Sequence, residues 1–199
     1  MIITPDAGTN VAQEADAPAD PLPRFEVIDP DVAYVRIADV SDKTVPALDA
    51  ALKKFAETNI TGFVLDLRFA DGSDYAAAAV LACRFVGEGQ RLFGLKSGAA
   101  EVKEFTSGVC PSELADGQKS LTEIPLLVLI NEQTRGGAEA LTGALQAQRR
   151  AILVGGKTAG SAAAWEDVKL ADGRVLRLAT SKVVLPSVQI GRASCRERV

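Results

Sequence analysis

Histidine is absent from all 199 residues. That excludes a Ser–His or Cys–His nucleophile pair, an HExxH zinc site and most histidine-ligated metals within this chain. Cysteine is scarce: Cys83, Cys110 and Cys195 are its 3 occurrences, and none stands in CxxC spacing, so no thiolate metal framework is offered. Cys83 falls in an apolar helical stretch and is expected as a buried, inert thiol, with a Cys83–Cys110 disulfide in an oxidising compartment as the alternative. No apolar run approaches the ~20 residues of a membrane span. The opening Met1-Ile-Ile-Thr-Pro lacks the basic and long apolar regions of a signal peptide. The compartment is left open: periplasmic or secreted if a leader lies upstream, otherwise cytoplasmic. A basic excess is also missing. Lys and Arg number 22 against 26 Asp and Glu, a net charge of -4, which argues against a nucleic-acid partner.

What is present is the balance of a globular domain, 47% hydrophobic and 24% charged. Residues 1–30 open with an Ala/Asp/Pro-rich stretch without periodicity and are expected to be a disordered lead-in or linker. Residues 31–189 are expected to form one domain. Strands are predicted at 32–37, 61–67, 92–95, 102–105, 124–130, 151–155 and 183–185. Helices are predicted at 45–55, where Val45, Leu48, Ala51, Leu52 and Phe55 share one face, and at 75–85. A hairpin is predicted across 164–179 about the Asp172-Gly173 turn. Strands alternating with helices give an α/β core of mainly parallel strands with crossover helices and a late hairpin.

The organising stretch is Ile124-Pro-Leu-Leu-Val-Leu-Ile130 followed by Asn131-Glu-Gln-Thr-Arg-Gly136-Gly137. A continuous apolar run reads as a strand buried on both faces. The glycine turn then opens a small-residue helix with Ala138, Leu141, Ala144 and Leu145 on one side. Strand, glycine turn and helix is where α/β enzymes place a nucleophile or a phosphate, because the helix tip offers free N–H donors. This turn holds no Ser, Cys, His or Asp. Gly155-Gly-Lys157-Thr158 has the look of a phosphate loop but lacks the preceding glycine and the following helix. Asp66 and Arg68 at a strand end read as a structural ion pair, Glu139 as favoured by the helix dipole, and Trp165 as a core or edge-strand aromatic rather than a groove residue.

Residues 190–199, Ile190-Gly-Arg-Ala-Ser-Cys-Arg-Glu-Arg-Val199, correspond to a common sequencing-library adapter translated in frame. They are set aside as an artefact, with the expectation that the native C-terminus is missing.

Five blocks, in order, resemble the catalytic domain of the tail-specific (C-terminal processing) serine peptidases. They are Val32-Ala-Tyr-Val-Arg-Ile37; Gly62-Phe-Val-Leu-Asp-Leu-Arg68; Leu126 through Gln146; Ala151-Ile-Leu-Val-Gly-Gly-Lys-Thr158-Ala-Gly160; and Leu170-Ala-Asp-Gly173 with 176–186. The resemblance implies a ClpP/crotonase-like fold, no cofactor, and an extended peptide or protein C-terminus as partner. It places the nucleophile three residues before Glu139, at Gly136, and the lysine base directly after Thr158-Ala-Gly160, at Ser161. Neither residue can do that work. Gly72 matches the first glycine of an oxyanion loop whose second is replaced by Ser73, and Gly137 offers an N–H at the helix tip. Thr134 and Ser161 are the nearby hydroxyls and Lys157 the nearest amine in sequence, so a relocated Ser161–Lys157 dyad, or Thr134 as nucleophile, is the alternative. The family's peptide-docking PDZ module is not seen. The resemblance therefore implies a peptide-binding pseudoenzyme, with an active peptidase using a rearranged dyad, or a crotonase-like acyl-CoA enzyme, as alternatives.

Overall fold

The computed structural model describes residues 20–98, 102–109 and 120–186. The expected adapter-derived tail lies outside them, as does most of the lead-in. The lead-in nevertheless ends in structure. β1 (Arg24–Ile28) is a strand, paired antiparallel to β2 (Val32–Arg36) in the register Phe25↔Val35 and Val27↔Ala33. An expectation of linker through residue 30 is corrected at this point. Phe25 packs edge-on against Phe55 at 6.3 Å, which gives the strand a reason to stay.

α1 (Thr44–Phe55) carries the chain from β2 to β3 (Gly62–Asp66). Leu48, Ala51, Leu52 and Phe55 are buried as the helical spacing placed them, while Val45 of the same expected face is half-buried and Thr44 is buried beside it. α2 (Tyr75–Cys83) is apolar all round, as befits a helix wedged between neighbours, and Asp74 caps it by accepting from the Ala77 N–H at 2.9 Å. β4 (Arg91–Lys96) and β5 (Lys103–Thr106) follow. Then come β6 (Leu126–Ile130), α3 (Gly136–Ala147) and β7 (Ile152–Gly155). The hairpin β8 (Ala163–Lys169) and β9 (Val175–Val184) closes the described chain.

Two sheets result, one of order β1-β2-β3-β6-β7 and one of order β5-β4-β9-β8. In the first, β2, β3, β6 and β7 are parallel, so the mainly parallel α/β expectation holds. The second is antiparallel throughout and was not foreseen as a sheet. The separate last strand expected at 183–185 is the end of β9, which is continuous over 10 residues and reaches β4 through Leu95↔Val183.

Phe63 on β3 anchors the layer between sheet and helices. Its ring meets Phe55 of α1 at 6.3 Å and Phe85 beyond α2 at 5.3 Å, both edge to face. Each such pair contributes about 0.5–1.5 kcal/mol beyond the area it buries. α3 packs against α2 in the same layer. Along β6 the buried residues Leu126, Val128 and Ile130 alternate with half-buried Leu127 and Leu129. Burial on both faces, expected from the apolar run, is thus corrected: among the described residues, helices cover one face.

Arg150, just beyond α3, ties three segments together. Its guanidinium donates to the carbonyls of Phe85 at 2.7 Å, Ile124 at 2.6 Å, and Leu121. Burial alone draws its pKa below the ordinary arginine range. Cys83 corrects another expectation. It is disulfide-bonded rather than a free thiol, with Cys110 and Cys195 both outside the described residues, and its Sγ lies 3.3 Å from the Gly108 carbonyl oxygen.

Candidate functional site

Open α/β sheets bind ligands beyond the C-terminal ends of their strands, where the loops part. Off the ends of β3 and β6 lies a groove of about 580 Å³. Asp39 and the loop Asp71, Gly72 and Ser73 line one part of it, and Arg135 and Gly136 the helix tip. Ala163, Trp165 and Arg177 come from the second sheet, and Ser161 from the loop leading into it. Trp165 is half exposed on edge strand β8, so it is both the edge aromatic expected and a groove residue. Arg177 stacks over its ring at 5.8 Å.

The helix tip is tightly drawn. Gly136 has φ +57, a left-handed conformation that favours glycine. A Cβ there would stand 2.2 Å from the Gly72 carbonyl oxygen and 3.0 Å from Asp71 Oδ1. The Gly137 N–H, expected as a free oxyanion donor, donates to that same Gly72 oxygen at 2.6 Å. Gly72 has φ +132, and a Cβ on it would meet the Val40 carbonyl oxygen at 2.4 Å. The loop is sewn in by the Val40 N–H donating to Asp71 O at 2.9 Å and the Arg135 N–H to Ala70 O at 3.0 Å. Arg135 Nε also donates to the Asp71 carboxylate at 2.7 Å.

One turn further on, Glu139 is buried and fully engaged. It accepts from Thr158 Oγ1 at 2.6 Å, the Gly160 N–H at 2.8 Å and the Ser161 N–H at 2.8 Å. These three bonds fix the 158–161 loop against α3. Charge-assisted bonds to a buried carboxylate are roughly twice as strong as neutral ones. The sequence offered the helix dipole as sufficient reason for Glu139, whether or not it had a further role; the structure adds this clasp.

Ser161 and Gly136 therefore line one groove, with Gly72 beside them. Thr134 does not join them. It is buried, its hydroxyl donating to Leu67 O at 2.8 Å while accepting from the Asn131 N–H at 3.1 Å, which is a turn-holding role. Lys157 is exposed and is not among the groove residues.

Below the groove, buried Asp66 accepts from Arg68 through Nε at 2.9 Å and Nη2 at 2.7 Å, and from the Tyr34 hydroxyl at 2.6 Å. Burial acts to raise the Asp66 pKa, but these bonds outweigh it and hold the carboxyl below its usual range. This is the structural ion pair expected. Tyr75, the first residue of α2, is buried with a hydroxyl that has no protein partner. Burial first, then the charges of Glu139 and Asp71, pushes its pKa up to about 12.

The sequence profile described as peptidase family S41 matches residues 31–192. The chain belongs to peptidase family S41. Among its relatives, the carboxy-terminal-processing protease of Bartonella bacilliformis is 29% identical over 164 residues, 80% of this chain and 36% of that protein. The carboxyl-terminal-processing protease of Synechocystis is 30% identical over 155 residues, 78% of this chain and 34% of that protein. This S41 chain thus spans about a third of the length of the curated relatives it matches. Among solved structures, the photosystem II D1 C-terminal processing protease superposes with TM-score 0.69 at 23% identity, over 90% of this chain and 48% of that one. A Streptococcus agalactiae lipoprotein superposes with TM-score 0.65 at 18% identity, over 86% of this chain and 63% of that one. At those identities the superpositions establish the fold. Among the described residues no helix of the S41 chain is long and apolar enough to cross a membrane.

Asp39, Asp71, Arg135 and Arg177 were not singled out from the sequence. Charged residues in turns and on exposed strands carry no local signature that separates a groove from open solvent. The pairing of Glu139 with Thr158-Ala-Gly160 was within reach: an acid in a helix's first turn and a glycine turn rich in donors after the next strand.

Proposed function

We propose that this S41 domain binds an extended peptide or a protein C-terminus and has lost most or all peptidase activity. What carries the reading is Gly136 at the position the motif blocks assign to the family nucleophile, lining the groove where a Cβ would overlap the Gly72 carbonyl oxygen. Ser161, at the position of the base, is a hydroxyl whose backbone N–H serves Glu139. A hydroxyl of ordinary pKa does not activate a second one, and losing both halves of a dyad removes several orders of magnitude of rate.

Peptide binding has its own support. β8 is the end strand of its sheet, and Ala163 and Trp165 present alternate positions of it to the groove. A free strand edge binds extended chains by main-chain pairing, with side chains alternating between walls. The names of the relatives supply protein C-termini as the class of partner.

A fluorophosphonate probe and a peptide library ending in free carboxylates test both halves. The expected outcome is no adduct on Ser161 or Thr134, together with saturable binding of an extended peptide by calorimetry. A stoichiometric adduct on either hydroxyl, or turnover of any bound peptide, overturns the loss of activity. Tight binding of coenzyme A in place of peptide overturns the ligand class.

A further inference from the structure

A donor at the tip of α3 is already taken, by the protein's own backbone. Helix-tip N–H groups lack an intrahelical partner and are what an incoming carbonyl or carboxylate oxygen would use. Here the Gly72 carbonyl sits on the Gly137 N–H at 2.6 Å. We propose that Gly72 and Gly136 form an internal gate, in which the Gly72 carbonyl closes the helix tip and the missing side chain at 136 is what admits it.

Three observations converge on this. A Cβ at 136 would lie 2.2 Å from the docked oxygen, so any residue but glycine drives the carbonyl off. Gly136 itself holds φ +57, and Gly72 holds φ +132, so both sides of the contact use conformations that glycine alone adopts readily. The loop's other anchors, Val40 N–H to Asp71 O and Arg135 N–H to Ala70 O, lie on the N-terminal side of Gly72. Turning the single peptide between Gly72 and Ser73 would swing the carbonyl away while leaving those anchors intact. It would also bring the Ser73 N–H round in its place. Closure and occupancy of the helix tip are then mutually exclusive, so replacing the nucleophile by glycine does more than remove a hydroxyl: it lets the site shut.

The identity of the ligand rests on the peptide-binding reading; the contact itself does not. Isotope-labelled protein without ligand should give a measurable coupling across the hydrogen bond between Gly137 N and the Gly72 carbonyl carbon, with the Gly137 amide protected from exchange. In Gly136→Ala that amide should exchange roughly tenfold faster or more, while the Leu141 and Leu145 amides keep their rates. Absence of the coupling in the unaltered protein overturns the gate, and so does a folded Gly136→Ala with unchanged Gly137 protection. Should that variant fail to fold, the unaltered protein decides alone. Adding a saturating peptide with a free C-terminal carboxylate should abolish the coupling; a peptide that binds and leaves it intact also overturns the gate. If no peptide binds while the coupling is present, the closed contact stands and the peptide-binding reading falls.

Discussion

The two sides of the first turn of α3 have opposite characters. On one side Glu139 holds three donors of the 158–161 loop in a buried, fully satisfied clasp. On the other, Gly136 offers no side chain, and backbone meets backbone. At Glu139 a side chain holds a loop to the helix, whereas at Gly136 the helix tip meets the 71–73 loop through backbone alone. A buried carboxylate is hard to remove because its partners would be stranded. A nucleophile in a groove has no such hold, since its substitution leaves the core untouched.

The two sides should respond differently to substitution. Glu139→Ala should be the most damaging, costing about 3 kcal/mol or more by leaving three donors without their acceptor. Urea unfolding checks it, and Glu139→Gln should recover part of the loss through its remaining oxygen. A cost below about 1 kcal/mol would mean that the loop holds without the clasp. Gly136→Ser comes next, at about 2–3 kcal/mol from the left-handed backbone and the overlap with Gly72, and without gain of peptidase activity in a fluorogenic peptide assay.

Asp66→Asn, below the groove, should cost about 2 kcal/mol at neutral pH. Its pH dependence has a definite sign. Because the folded carboxyl is held below its ordinary value, its contribution is complete above about pH 4–5 and lost as pH falls through the folded pKa. The unfolding midpoints of the two proteins should therefore stay a constant distance apart above that range and converge in acid. Arg135→Ala should be the mildest, about 0.2–1 kcal/mol, because its ion pair with Asp71 is about half exposed on both sides. That difference should fade in 1 M salt.

The sequence carried the parallel core well because its signals are local. Leu48, Leu52 and Phe55 declare a helix face, 126–130 a strand, and Asp172-Gly173 a hairpin turn. β1 escaped notice because its short alternation, Phe25 and Val27, follows an Ala- and Pro-rich stretch of the opposite character. The antiparallel sheet escaped because local cues cannot report that Leu95 pairs with Val183, a contact set by topology. At the site, the blocks around Gly136 singled that position out. The Gly72–Gly137 bond was not: a backbone contact leaves no residue code beyond glycine itself.

Arg150 has a consequence for how the chain can come apart. One planar cation gathers carbonyls from the turn just beyond α2 and from both ends of the 121–124 approach to β6. Lysine, a point charge on a flexible stem, cannot span them together. The entrance to the central strand and the exit from its helix are consequently fastened by the same side chain, so neither can fray without releasing the other.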